Sequence, residues 1–320
     1  MTTHTIHIAD SRELLRQLPD ESIQLVVTSP PYWNKKNYGD VIEQIGYTQS
    51  YERYVADLNT VWEQCARLLL PQGRLCVNVG DVFTSTKEYG RYKVLPVHAE
   101  VIRFCERLRL DYMNTIIWRK FANATASGGA KNIMGSFLQP PNGIIQNDIE
   151  YILVFKKPGP KRKVSDEVRD ASRLDYEGEW LPFFSQIWEI HGERQNTHIA
   201  MFPEELPRRL IKMFSFVGDM ILDPFLGSGT TTLAARNTSR NSIGVEINPD
   251  YLSIIGCKLQ ISGLLTRVVE RRGAHLVIED DAARYDIVSH LDDLAADGLA
   301  GLLGVTGEIA VAQPAARVVE

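Results

Sequence analysis

Cysteine is scarce in this chain and poorly placed for cross-linking. Cys65, Cys76, Cys105 and Cys257 are far apart, form no C-x-x-C pair and have no histidine at ligand spacing. Neither a disulfide framework nor a zinc site is indicated, and reduced, mostly buried thiols are expected. His4, His7, His98, His191, His198, His275 and His290 are equally scattered, so packing or surface roles are expected of them and no metal centre. Long apolar runs are also missing. Nothing approaches the ~18 consecutive apolar residues of a membrane helix, and the opening MTTHTIHIADSRE lacks the basic and apolar regions of a signal peptide. The expectation is a cytoplasmic enzyme with no membrane partner. Charge of one sign is weak overall, at −5. From Glu279 onward nine acids face only two bases, so the rest of the chain is mildly positive. Lys156, Lys157, Lys161, Arg162 and Lys163 cluster there, and local potential is what attracts a polyanion. A solvated surface run would look the same.

What is present is enough for a large core: 320 residues, 44% of them hydrophobic, suit one large domain or one domain carrying an insertion. Seven segments have the short, apolar, β-branched character of buried strands, at 5–9, 24–28, 74–80, 112–118, 149–156, 219–222 and 242–247. Residues 50–70 have amphipathic helical spacing closed by Pro71-Gln72-Gly73, and residues 203–216 open with a proline and two glutamates, as a helix start should. Alternation of this kind predicts an α/β fold with a mainly parallel sheet. A long Gly/Asn/Ser/Pro-rich loop is expected over 121–143. Residues 158–196 read as an inserted recognition element, and the acidic tail from 273 as a peripheral helix or a partly disordered extension.

Two motifs carry chemistry. In the first, Met220-Ile221-Leu222 reads as a strand, Gly227-Ser228-Gly229 as a tight loop and residues 230–237 as a helix start, an arrangement that lets backbone approach a ligand closely. Glu246 ends the strand-like SIGVEIN, where a carboxylate can accept from both ribose hydroxyls. No G-x-x-x-x-G-K-[ST] lysine and no full G-x-G-x-x-G are present, which points to a nucleoside cofactor without phosphates, such as S-adenosyl-L-methionine. Asp10 could accept from the adenine amine, or could simply cap the helix of residues 11–18. Phe225 or Tyr32 could face the sulfonium.

In the second motif, the strand ending at Thr28 leads into Ser29-Pro30-Pro31-Tyr32-Trp33, in the crevice where open α/β sheets bind ligands. Consecutive prolines hold the backbone extended, with carbonyls that no local N–H can reach. The Ser29 hydroxyl and the Pro30 carbonyl could grip the exocyclic amine of a base and free its lone pair, with Tyr32 stacking on the ring. Such an amine is paired inside a duplex, so the base must first rotate out of the stack. A polyproline turn with an aromatic plug is the structural alternative.

With these residues in hand, the chain resembles the β-class DNA amino-methyltransferases, in which the S/D/N-P-P-Y motif precedes the cofactor motif. SPPY and DPFLGSGTT are joined by GRLCVNVGD at 73–81, IIWRK at 116–120, DIEYILVFKK at 148–157 and FPEELPRRLI at 202–211. The resemblance implies a Rossmann-like S-adenosylmethionine-dependent methyltransferase fold with a seven-stranded, mainly parallel sheet and circularly permuted motif order. It implies a catalytic half over 1–157, a target-recognition region over 158–196, a cofactor half over 197–272 and an acidic extension over 273–320. By the same likeness the methyl donor is held by Asp10, Thr28, His198, Phe202, Pro203, Asp223, Pro224, Phe225, Gly227, Ser228, Gly229, Thr230, Thr231 and Glu246. Catalysis falls to Ser29, Pro30, Pro31 and Tyr32. Double-stranded DNA is the expected substrate, touched by Lys35 and Lys36 in a loop beside the target base and by Lys161, Arg162 and Lys163, with a restriction endonuclease as genetic partner. Serine before the prolines is usual for cytosine N4 enzymes, aspartate for adenine N6 enzymes, so cytosine is favoured and adenine stays open.

Other classes fit less well. Carbon-5 cytosine methyltransferases use a nucleophilic cysteine, typically after a proline, and no cysteine here follows one. Methyltransferases of protein amides usually carry N-P-P-Y after the cofactor loop. A DNA-binding subunit with a vestigial pocket would be expected to have lost Ser29, Tyr32 or the glycines, and a nicotinamide oxidoreductase to show the missing pyrophosphate fingerprint.

Overall fold

The computed structural model describes residues 1–34, 43–120, 141, 145, 147–190, 202–261, 267–272, 275–279, 283–291, 294 and 296–304. Its strands are β1 (Thr2–Ile8), β2 (Ile23–Thr28), β3 (Leu69–Val79), β4 (Val82–Thr84), β5 (Lys93–Leu95), β6 (Asp111–Arg119), β7 (Ile149–Lys156), β8 (Ile187–Glu189), β9 (Met220–Asp223), β10 (Asn241–Glu246), β11 (Arg267–Arg272), β12 (His275–Glu279) and β13 (Ala283–Ser289). The helices are α1 (Ser11–Leu14), α2 (Tyr51–Leu68), α3 (Thr86–Tyr89), α4 (Val97–Arg107), α5 (Asp166–Ala171), α6 (Leu181–Phe183), α7 (Glu205–Phe214), α8 (Thr230–Asn237), α9 (Tyr251–Leu259) and α10 (Ala296–Leu303). None is long and apolar enough to cross a membrane among the described residues.

One mixed sheet organises the chain, in the order β11-β12-β13-β1-β10-β9-β2-β3-β7-β6-β8. All seven strands expected from sequence stand side by side, from β1 to β6. Pairing is parallel from β13 through β3 and antiparallel where β7 meets β3 and β6.

The sheet has eleven strands among the described residues and not seven. Three of the additional strands come from 267–289, most of which was expected to be peripheral or disordered. Along β13, buried Ala283, Tyr285, Ile287 and Ser289 alternate with partly exposed Arg284, Asp286 and Val288, so charges on the outer face hide a half-buried strand. Helix α10 is the peripheral helix of that reading, packed on α9 and β12. The fourth, β8, is too short to leave a periodic signal and pairs parallel to β6 through Trp188 opposite Trp118. Pro71-Gln72-Gly73 does not follow a helix ending at Leu70. Helix α2 stops at Leu68, and the three residues lie inside β3, where the β2 to β3 register shifts.

Both faces of the sheet are covered, which is why β2 is buried at every residue. Val26 joins the core with α2 and α4 on one side, whereas Leu25 and Val27 meet α7 and α8 on the other. Helix α2 forms because Ser50 caps it, accepting from the Arg53 N–H at 3.2 Å, and because Tyr54, Leu58, Val61, Trp62, Cys65 and Leu68 fall on one buried stripe. Cys65, Cys76 and Cys105 are buried and Cys257 is exposed. Burial pushes the Cys76 thiol up to about 12, far from reactivity.

Candidate active site

The carboxyl ends of β1, β10, β9 and β2 share one edge of the sheet, and a cleft partly open to solvent lies along it. Ser29, Pro30, Pro31 and Tyr32 enter from the end of β2, and residues 224–228 with Thr230 from the end of β9. Glu246 and Ile247 come from β10, Asp10 and Ser11 from β1, and Phe202 and Tyr251 close the sides. The two sequence motifs therefore face each other across one space.

They are also bonded behind it. Thr28 is buried and donates to Asp223 Oδ1 at 2.7 Å across the β2 to β9 pair, joining residues 195 positions apart. Asp223 takes two further donors, Thr231 Oγ1 at 2.6 Å and the Phe225 N–H at 3.0 Å. Full burial nevertheless pushes its carboxyl up to about 6, against the pull of those bonds. On the other flank Glu246 Oε2 accepts from the Gly227 N–H at 2.8 Å and Oε1 from the Asn248 N–H at 2.9 Å. Burial outweighs these donors and raises its pKa to about 7, with Asp223 adding repulsion. Gly227 has φ +54° and Gly229, the N-cap of α8, φ +84°. Both are left-handed positions that favour glycine, and at Gly227 an added Cβ would meet nothing within 4 Å among the described residues.

A sequence profile described as a DNA methylase, of the N6/N4 type, matches residues 23–256, from β2 and the SPPY motif through the glycine loop to α9. The chain belongs to the N6/N4 DNA methylase family. It is 37% identical over 289 residues to the Type II methyltransferase M.MjaI of Methanocaldococcus jannaschii, covering 81% of this chain and 92% of that one. Identity to the Type II methyltransferase M.MthZI of Methanothermobacter thermautotrophicus is 34% over 295 residues, covering 85% and 81%. A candidate DNA modification methylase of Thermus thermophilus, solved in complex with S-adenosyl-L-methionine, superposes with a TM-score of 0.64 at 40% identity, over 80% of this chain and 95% of that one.

Not every expected residue of this methylase reaches the cleft. Asp10 lines it and also caps α1, accepting from the Arg12 N–H at 2.8 Å while ion-paired to the Arg12 guanidinium at 2.5 Å. Thr28, Asp223, Gly229, Thr231 and Pro203 are not among the lining residues, whereas Phe202, Pro224, Phe225, Gly227, Ser228 and Thr230 are. Lys35, Lys36 and His198 lie outside the described residues, as do 121–140, 191–201 and 305–320. Lys161, Arg162 and Lys163 are not brought to the cleft. They border a separate groove with Gln24, Arg74 and Arg173 at the amino ends of β2 and β3. Gln24 and Ser29 lie at opposite ends of β2, roughly 17 Å apart at about 3.3 Å per residue. Arg162 is held there by Asp219 at 2.5 Å and by the Phe216 ring at 5.4 Å.

Other residues beside the cleft were assigned no individual role from the sequence. Tyr54 donates to the Pro31 carbonyl at 2.9 Å, supplying from α2 the partner that no local N–H provides. Trp33 is buried, donates to the Gln49 carbonyl at 2.9 Å and packs edge-on against Tyr51, so it is a structural plug. Lys258 donates to Ser228 Oγ at 2.9 Å and Thr230 Oγ1 at 2.7 Å, bracing the glycine loop from α9. Glu150, beneath Tyr32, was detectable as a lone acid in the apolar strand IEYILVFK, which in a central strand marks a buried polar group.

Proposed function

We propose that the protein transfers a methyl group from S-adenosyl-L-methionine to the exocyclic amine of a base rotated out of double-stranded DNA, cytosine N4 in preference to adenine N6. In this reading it is the Type II modification partner of a restriction endonuclease. The observation that carries the reading is the single cleft in which Ser29–Tyr32 and the Gly227–Glu246 pair face each other, pinned from behind by the Thr28 to Asp223 bond.

The residues present suit the cofactor. Glu246 offers carboxylate oxygens for a ribose, held in place by two backbone N–H groups. The α8 N-terminus, with Ser228 and Thr230 beside it, suits a carboxylate, and Phe225, Ile247 and Tyr251 give apolar walls for adenine. When bound, the cofactor supplies an electrophilic methyl group on a sulfonium. The protein's own task is to make a poor nucleophile act. The amine lone pair is delocalised into the base ring, and accepting its two N–H bonds at Ser29 Oγ and the Pro30 carbonyl draws the nitrogen towards tetrahedral geometry. The rigid Pro30-Pro31 backbone, tied by Tyr54, fixes those acceptors in advance, so most of the advantage is positional, on the order of 7–11 kcal/mol. Tyr32 offers its ring to the base, offsetting part of the few kcal/mol lost on unstacking. Serine at position 29 is what favours cytosine. Lys161 and Lys163, at the opposite edge, are assigned contacts to flanking phosphates only.

The test is to react the protein with isotopically labelled donor and varied duplexes, digest to nucleosides and identify the labelled one by mass spectrometry. N4-methylcytosine is expected. Label on adenine N6 would keep the reaction and overturn the base preference, and label on carbon 5 or on protein would overturn the reading. Melting should rise with S-adenosylmethionine and not with NAD.

A further inference from the structure

Glu150 is the most enclosed carboxylate near the cleft that the proposed reaction leaves without a task. It sits on β7 with 4% of its side chain exposed, and three donors from three separate parts of the chain converge on it. Tyr32 Oη and Lys120 Nζ both donate to Oε1, and Asn78 Nδ2 donates to Oε2 at 2.6 Å. Asn78 comes from β3 and Lys120 from the end of β6, on either side of β7, while Tyr32 follows β2. Of the four, only Tyr32 lines the cleft.

A structural account would make this a buried ion pair that completes the sheet end. An enclosed carboxylate costs several kcal/mol unless its geometry is well satisfied; here three donors satisfy it, and one of them is the hydroxyl of a residue that lines the cleft. The Asn78 amide is turned to donate to Glu150 although this leaves its own buried Oδ1 without a hydrogen-bond partner among the described residues. Gly80 runs beside the same pair: a Cβ there would make ordinary van der Waals contact, 3.4 Å from Glu150 Cγ and 3.5 Å from Tyr32 Cε1. The phenol and the carboxylate are thus clasped together at the rim.

We infer that Glu150 is a positioning residue for methyl transfer, holding the Tyr32 ring at a set angle in the cleft through the phenol hydroxyl. The inference rests on the proposed function. With its hydroxyl donating a hydrogen bond to Glu150, Tyr32 is set to meet a base with its ring face, and Lys120 and Asn78 hold Glu150 in place as acceptor. A ring released from that bond can rotate, and a misplacement of about 1 Å in a reacting arrangement can reduce the rate about 100-fold.

The test is a double-mutant cycle on the whole protein with Glu150→Gln, Tyr32→Phe and the pair, read by single-turnover methyl transfer, cofactor Kd and Tm. Both single variants should slow transfer, by up to about 100-fold, with cofactor Kd unchanged, and the pair should be no slower than Tyr32→Phe alone. Full additivity would overturn the inference, because Glu150 would then act without Tyr32. Wild-type transfer by Tyr32→Phe would also overturn it, whether or not the Glu150 variant folds. Fluorine NMR of fluorotyrosine-labelled protein reads the same bond without turnover. The Tyr32 resonance, identified by its loss in Tyr32→Phe, should shift in Glu150→Gln, and an unmoved resonance would refute the link. Absence of any methyl transfer by the wild type, with that shift present, would retire the proposed function and leave the Glu150 to Tyr32 clasp standing.

Discussion

The two edges of the sheet are built on different electrostatic plans. Along the cleft edge each carboxylate is met: Asp10 by Arg12, Glu150 by Lys120, Asn78 and Tyr32, Asp223 by two hydroxyls and an N–H, Glu246 by two N–H groups. At the opposite edge Arg162 and Lys212 are paired with Asp219 and Glu179, but Lys161, Lys163 and Arg173 reach no carboxylate among the described residues. The densest run of basic charge in the sequence therefore borders the groove at the far edge, while the cleft is made from hydroxyls, prolines, glycines and a few pinned acids. Fixed dipoles at known positions suit a reaction site better than net charge does.

The contrast can be broken in four places. Ser29→Ala should have the largest effect, lowering turnover by about 100-fold or more while cofactor affinity changes little; steady-state kinetics beside calorimetric titration of the cofactor would read both, and a parallel fall in the two would merge roles we hold separate. Asp223→Ala should act the other way round. It strands Thr28, Thr231 and the Phe225 N–H, at about 1–3 kcal/mol for each group left unsatisfied, so cofactor affinity and Tm should fall before the chemical step does. A smaller effect is expected with pH. Burial raises Glu246 from an ordinary 4.5 to about 7, so its contribution to the stability of the cofactor-free protein is complete below pH 4.5 and is lost as pH climbs through 7. The ionised carboxylate is the better acceptor for a ribose, so cofactor affinity should rise over the same interval and flatten in Glu246→Gln. An unchanged titration in that variant would remove Glu246 from the cofactor site. The smallest change should follow Lys161→Ala with Lys163→Ala: turnover on a short duplex at the wild-type level, and a shallower salt dependence only on longer DNA. Loss of turnover on the short duplex would bring the basic groove into the reaction.

The family and the central sheet were legible because their signals are local. Strands buried on both faces read as continuous apolar runs, and a glycine loop between a strand and a helix constrains its own geometry. What escaped depends on distant partners. Tyr54 is an ordinary aromatic on an amphipathic helix until Pro31 is found above it, and Lys258 an ordinary surface lysine until the glycine loop folds against α9. Strand β13 was masked by Arg284 and Asp286 on its outer face, and β12 by the acidic run Glu279-Asp280-Asp281 that closes it, so composition outweighed pattern. Where Lys161, Arg162 and Lys163 lie relative to the cleft was equally out of reach, since adjacency along the chain says nothing about which end of a strand a run adjoins.

Strand β1 sits in the interior of the sheet because β13 pairs with it over its whole length, from Thr2 opposite Ala283 to Ile8 opposite Ser289. A chain trimmed of the acidic tail would uncover seven residues of unpaired backbone, the kind of open margin onto which other chains add. The segment that looks most dispensable by composition is thus the seal that keeps neighbouring molecules from zipping together.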